Sequence, residues 1–472
     1  MRAFIALSIG LMLAIPFASA CQKEEGNKTT SPGGSKATET GQAAGQPAAG
    51  QPVAASQPAG GISWPRFRGA DPGSPAANAG DPPVEINVEK NTLYQANVPV
   101  PGKSSPIIWG DRIYLTGEDD HIMAFDRAKG DLLWDVQLKA EPAATQPAAE
   151  GGGGMGGEGE INADTGTAAP SATTDGHRVY ASFGSGVIGC VDRNGKQVWS
   201  HRLTPGLPKN TYGMASSPLI YGDVVIQQVD QGNNPDAGLS FVVAYRTADG
   251  AEAWRTQSRA VVSSWSSPVL ATLPEGDTLI TSSAPLVIAY NPKTGAERWE
   301  CDGLGGEVAA SPIVCGGVVI APSNYSGGSL LAVKPGGKGD VSKSHLAWTT
   351  DSPAPDFPSP CGDGKKCYYL NGSMLLAINA ADGKEAWKLE LDGSFYASPV
   401  FAAGRIYAIN RSGTMFVVSA RGTKLAENKL DTGVDSSPAI VDGKIYVRTH
   451  GELWCIGRAA GAAAAAATAP AH

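Results

Sequence analysis

Seven residues stand just ahead of a repeated Ser-Pro-type step and combine the chemistries that hold a polar ligand: Lys103, Tyr212, Trp265, Glu307, Asp356, Tyr396 and Asp435. Aromatic faces stack on a sugar ring or a peptide plane, while carboxylates and an amine take up its hydrogen bonds. The same mixture would also serve simply to fill a channel and cap turns. Spacing for a catalytic machine is missing. His121, His177, His201, His345, His450 and His472 are scattered, without the short intervals of a zinc site. There is no G-x-S-x-G elbow, and the run GGGGMGGEGE lacks the G-K-[ST] ending of a phosphate loop. The run Asp192, Arg193, Asn194, Gly195 starts like a calcium loop but lacks its later ligands, so Asp126 and Asp192 read as turn-capping residues.

Dispersed residues converge only if a regular scaffold brings them together, and a repeat supplies one. A turn glycine is followed four residues later by tryptophan in the pairs Gly130 and Trp134, Gly195 and Trp199, Gly250 and Trp254, Gly295 and Trp299, and Gly383 and Trp387. Each unit holds four short strands, the arrangement of a propeller blade. Pro106, Pro218, Pro268, Pro312, Pro360, Pro399 and Pro438 head seven units, and PSATTDGHRVY heads an eighth with Ser171 in the place of the proline. The pattern predicts an all-β, eight-bladed propeller of four-stranded antiparallel blades. The last unit stops at ELWCIG without a tryptophan strand, while NTLYQANVPV, with Tyr94 in the tryptophan place, precedes the first. That N-terminal strand is expected to close the last blade and leave the ring without a seam.

The column Trp134, Trp199, Trp254, Trp299, Trp348 and Trp387 reads as filling between neighbouring blades rather than as a stacking platform for a ligand. One strand earlier comes a column of small residues that includes Cys190 and Cys455, which read as buried small hydrophobes. Two blades are irregular. One has Ala426 at the tryptophan place, and one reaches Trp348 only after the long turn GGKGDVSKSH. Cys361 and Cys367 flank the turn GDGKK and are a candidate disulfide; Cys301 and Cys315 are expected to be free thiols.

The chain has 472 residues, of which 60 are glycine and 34 proline, a composition suited to many strands and turns. Its net charge of −8, with no basic run, argues against a nucleic-acid surface and against attachment to anionic lipid by charge alone. Residues 1–20 read as a signal peptide, with small residues before Cys21. Cys21 is then either an acylated lipid anchor, the favoured reading, or a free thiol after ordinary cleavage. Residues 21–62 read as a disordered tether, 63–458 as the propeller with a disordered Gly-rich insert at 140–170, and 459–472 as a disordered Ala-rich tail.

The A-x-D-x-x-x-G-x-x-x-W type of repeat resembles the pyrroloquinoline-quinone-like propeller repeat, which quinoprotein dehydrogenases share with the outer-membrane assembly lipoprotein BamB. The pairing of W-P-x-F-R-G, here Trp64 to Gly69, with the ending IYVRTHGELWCIG resembles secreted propellers of planctomycete-type bacteria. The dehydrogenase branch implies adjacent cysteines against the quinone and an acidic Ca²⁺ site, and no Cys-Cys pair occurs. The BamB-like branch implies a periplasm-facing outer-membrane lipoprotein that binds envelope partners, including the outer-membrane assembly machinery, without cofactor. The expectation is therefore a non-catalytic envelope scaffold; the alternative is a periplasmic quinone-dependent or sugar-acting enzyme.

Overall fold

Gly- and Asp-led turns end each strand after a few residues, and a computed structural model shows what the strands build. It describes residues 61–458 except 87–88, 90, 141–164, 206, 211, 258, 325–327 and 351–352. Among the described residues the strands form eight antiparallel sheets, the blades of a propeller, and the one helical element is the short turn Pro235–Ala237. Blade 1 runs through Ile107–Trp109, Arg112–Gly117, His121–Asp126 and Leu132–Gln137, from the axis outward. Its siblings follow in chain order. Blade 8 takes Ala439–Val441, Lys444–Arg448 and Glu452–Gly457 from the end of the chain and its outer strand, Thr92–Asn97, from the beginning. Tyr94 lies opposite Cys455 and Gln95 opposite Trp454, so the predicted closure is the one formed.

The tryptophans explain the Gly-to-Trp spacing. Five of the six rings lie over the turn of the next blade, and four donate to it: Trp134 Nε1 to the Arg193 carbonyl at 3.0 Å, Trp199 Nε1 to Thr247 at 3.2 Å, Trp348 Nε1 to Ala380 at 3.0 Å and Trp387 Nε1 to Ala420 at 3.1 Å, whereas Trp299 Nε1 donates to Glu275 Oε1 of its own blade at 3.0 Å. Tyr94 OH does the same to the Arg127 carbonyl at 3.0 Å. The turn glycine lies under the ring; a Cβ on Gly250, where φ is 73°, would come within 2.6 Å of Trp199. Glycine is therefore required twice over there, for the left-handed backbone and for the close approach. On its own blade each tryptophan faces the small-residue column, as in Ala124 opposite Trp134 and Cys190 opposite Trp199. The long turn of the irregular blade has its own use. Gly339–Asp340 adds a parallel strand to Glu297–Asp302 and buries Val341 against the cluster that contains Trp299.

Three expectations change. Ser171 does not take the proline place: it belongs to the serine column one residue earlier, with Ala172 in the proline position, because the hydroxyl is what the neighbouring blades use (below). Residues 165–170 do not belong to the insert but lead into blade 2, where Ala168 is buried and its carbonyl accepts from Lys103 N at 3.1 Å. Cys361 and Cys367 are free thiols. Their register places Cys361 opposite Tyr368 and Gly362 opposite Cys367, so strand alternation sends the two side chains to opposite faces and into different interblade cores. Residues 1–20, Cys21, nearly all of the tether, residues 141–164 of the insert and the 459–472 tail lie outside the described residues.

Candidate functional site

At the centre of a propeller the innermost strands converge with no further strand to pair with, and their inward backbone N–H groups need other partners. Serine supplies them. The N–H of Ser105 donates to Ser171 Oγ, Ser171 to Ser217, Ser217 to Ser267, Ser267 to Ser311, Ser311 to Ser359, Ser359 to Ser398, Ser398 to Ser437, and Ser437 back to Ser105. The eight distances run from 2.8 to 3.0 Å, and the circle is complete. Fixing this ring fixes the residues that enter each blade just before it.

Those residues meet. All seven of the sequence-selected set line one cavity of about 350 Å³ at one end of the ring. Tyr212 and Trp265 meet edge to face with centroids 5.2 Å apart, and Phe357 and Tyr396 do so at 5.1 Å. Asp435, almost fully buried, is shared by three bases: Arg411 Nε at 2.9 Å, His450 Nε2 at 3.3 Å and Lys103 Nζ at 4.0 Å. The Arg411 guanidinium also lies 4.0 Å above the Tyr396 ring. Glu307, which leads into blade 5, and Asp356, which leads into blade 6 beside Phe357, form no ion pair among the described residues. Phe357, Asn324, Thr165 and Phe67 also line the cavity and were missed. Phe357 carries the signal, since it stands two residues before Ser359 as Trp265 does before Ser267, whereas Asn324, Thr165 and Phe67 lie away from the Ser-Pro steps.

A buried polar network holds the Trp265 wall. Arg259 pairs with Asp230 and donates to Thr281 Oγ1 at 2.8 Å and to the Tyr290 hydroxyl at 3.0 Å. Burial works against the guanidinium charge, but Asp230 and Tyr290 outweigh it and its pKa is raised. Ser264 Oγ donates to the same carboxylate at 2.7 Å, next to Trp265, whose backbone N–H donates to the Val308 carbonyl at 2.9 Å. Asn210 ties the neighbouring loop in, donating to the Ser264 carbonyl at 3.3 Å and accepting from Tyr212 N at 3.2 Å.

The far end of the ring is crossed by the W-P-R-F-R-G segment, read from the sequence only as a signature. Ser63–Trp64 pairs with the inner strand of blade 1, and the Pro65 carbonyl accepts from Thr174 N of blade 2 at 3.0 Å. The chain then passes over the axis. Arg68 donates to the carbonyls of Pro360 at 3.0 Å and Pro312 at 2.9 Å, on blades 6 and 5, and Phe67 reaches the cavity. Burial pulls the Arg68 pKa down to about 9. Beyond it the strap bonds to blade 6 through Pro72, blade 7 through Ala76 and blade 8 through Asn78. With the strap as floor, the cavity is a cup with its mouth at the seven-residue end.

Among the described residues the cup does not supply the donor set of a quinone and metal site. The sequence has no adjacent cysteines, and among the described residues no three of His, Cys, Asp and Glu group as metal ligands. Asp435 is already committed to three bases.

The family profile described as outer membrane protein assembly factor BamB matches residues 78–234 and 240–466. The chain belongs to the BamB family. This BamB-family propeller is similar in structure to BamB from Moraxella catarrhalis, with a TM-score of 0.53, 15% identity, and coverage of 78% of this chain and 97% of that one. It is also similar to the quinohemoprotein alcohol dehydrogenase of Comamonas testosteroni (TM-score 0.58, 14% identity, 86% and 82% covered) and to a europium-containing methanol dehydrogenase (0.55, 13%, 80% and 96%). At these identities the likeness is one of fold, and the fold carries both kinds of protein. No curated protein matches the sequence.

Proposed function

We propose that the protein is a non-catalytic binding scaffold of the cell envelope that holds a segment of a partner protein in its cup. The family description, an assembly factor of the outer membrane, supports the reading, and export on residues 1–20 with a lipid anchor at Cys21 on the periplasmic side of the outer membrane completes it. One observation carries it: how the side chains around the axis are used. Each serine Oγ accepts a backbone N–H and Asp435 is held by three bases, which leaves aromatic faces and two carboxylates as a recognition set.

The test is to purify the protein from its native envelope. A co-purifying chain with no quinone absorbance is expected. A bound chromophore with turnover of an alcohol or sugar would instead support the enzyme class.

A further inference from the structure

The cup is lined by two groups of aromatic rings and carboxylates, and in one of them the protein itself provides a cation. Tyr396 and Asp435 hold the Arg411 guanidinium, the ring beneath it at 4.0 Å and the carboxylate beside it at 2.9 Å. Further round the cup, in blade order, the edge-to-face pair of Tyr212 and Trp265 precedes Glu307 and Asp356, and Phe357 follows them. The parts are the same, aromatic faces with carboxylates. Here, though, the carboxylates have no cation from the described residues.

We infer that this second unit receives a guanidinium or ammonium side chain carried on a partner's extended segment, seated between Trp265 and the carboxylates of Glu307 and Asp356. The inference rests on the scaffold reading and names what the cup takes. A cation over an aromatic face gains electrostatic attraction that grows as water is excluded, and a carboxylate beside it adds a charge-assisted hydrogen bond. The electrostatics of the cup select the seat. Lys103 and Arg411 stand beside Asp435 and repel a cation from that wall, while Glu307 and Asp356 attract it to the other. Size fits too: about 350 Å³ admits a long side chain with a little of its backbone and no folded domain. The seat is also stiff, because the Arg259 and Asp230 network fixes Ser264 beside Trp265, and a preorganised site loses less on binding.

The experiment titrates the full chain by calorimetry with four probes: a capped Gly-Gly-Arg-Gly-Gly peptide, the same peptide with citrulline in place of arginine, methylguanidinium, and maltotriose. The arginine peptide is expected to bind, with citrulline weakening it about tenfold or more, since the charge is lost and the shape kept. The double variant Glu307→Gln, Asp356→Asn should weaken the arginine peptide by a similar factor with an unchanged melting temperature, which separates recognition from folding. Equal binding of both peptides, or indifference to the double variant, overturns the cation seat. Methylguanidinium binding as tightly as the peptide overturns the partner-borne source, and tight maltotriose with no arginine binding makes the cup a saccharide site. If the peptide fails while an envelope partner still cross-links at Trp265, the cation assignment falls and the scaffold reading stands.

Discussion

Ser437 donates its backbone N–H to Ser105 Oγ at 3.0 Å, joining two residues from opposite ends of the propeller and closing the serine circle. Arg448 makes the same seam from a second level. Buried in blade 8, it donates to Ser104 Oγ at 2.9 Å, to the Thr116 carbonyl at 2.5 Å and to the Val100 carbonyl at 2.8 Å, all from the first blade and its lead-in. Replacing Arg448 by Met strands these acceptors in the interior. A loss of about 3 kcal/mol in urea denaturation is expected. Ser105→Ala, which orphans one N–H, should cost about 1–3 kcal/mol. A seam that tolerates both changes is not what holds the ring closed.

The interblade contact of Gly250 gives a sharper contrast. Gly250→Ala suffers both the left-handed backbone at φ 73° and the clash with Trp199, whereas Gly404→Ala, at φ 75°, meets no atom within 4 Å. The first is expected to lower stability by about 2 kcal/mol more than the second, the difference being overpacking against the ring. Similar melting temperatures for the two variants would show that the glycine serves only its turn.

These contacts also mark what the sequence made legible. Blade number, strand order and closure were readable because each unit repeats the same local needs, a turn glycine under a ring and a small residue opposite it. The seven cup residues were readable because the chain enters each inner strand just ahead of its serine: Lys103, Trp265, Tyr396 and Asp435 stand two residues before it, Asp356, Glu307 and Tyr212 three to five before. The strap was not, since Trp64 to Gly69 occurs once and satisfies backbone carbonyls of blades 5 and 6 that no periodicity announces. Ser171 was read one column off for a related reason: proline stands out in a sequence, but the serine hydroxyl before it is the atom the ring uses.

Cys361 and Cys367 should both alkylate when the protein is unfolded without reductant, because their side chains point to opposite faces. Mass spectrometry reads this directly. A peptide pair linked through these two sulfurs would mean that the register of this hairpin differs from the one described.

Alkaline pH should weaken the fold. Burial pushes the thiol of Cys455 up to about 11, that of Cys315 up to about 12 and the Tyr407 phenol up to about 12. In the unfolded chain these groups lose their protons near 9 to 10, so between about pH 9 and 12 the folded state binds more protons and stability falls as pH rises. Arg68 and Arg448, pulled down to about 9 and about 10 by burial, act in the opposite sense, but all six buried thiols and several buried tyrosines are raised. Urea midpoints should therefore drop from pH 8 to pH 10.5, and less so in Cys455→Ala. A midpoint that rises over this range would mean that the arginines dominate.

In the proposed function the cup is the working surface. A photo-crosslinking amino acid placed at Trp265, and in a second strain at the exposed outer-strand residue Val198, can be activated in living cells and the adducts identified. A discrete protein adduct is expected from position 265, lost when Tyr396 is also changed to Ala, and none shared with position 198. Adducts from Val198 alone, or a position 265 that stays silent while the purified protein carries a redox chromophore, would contradict this function.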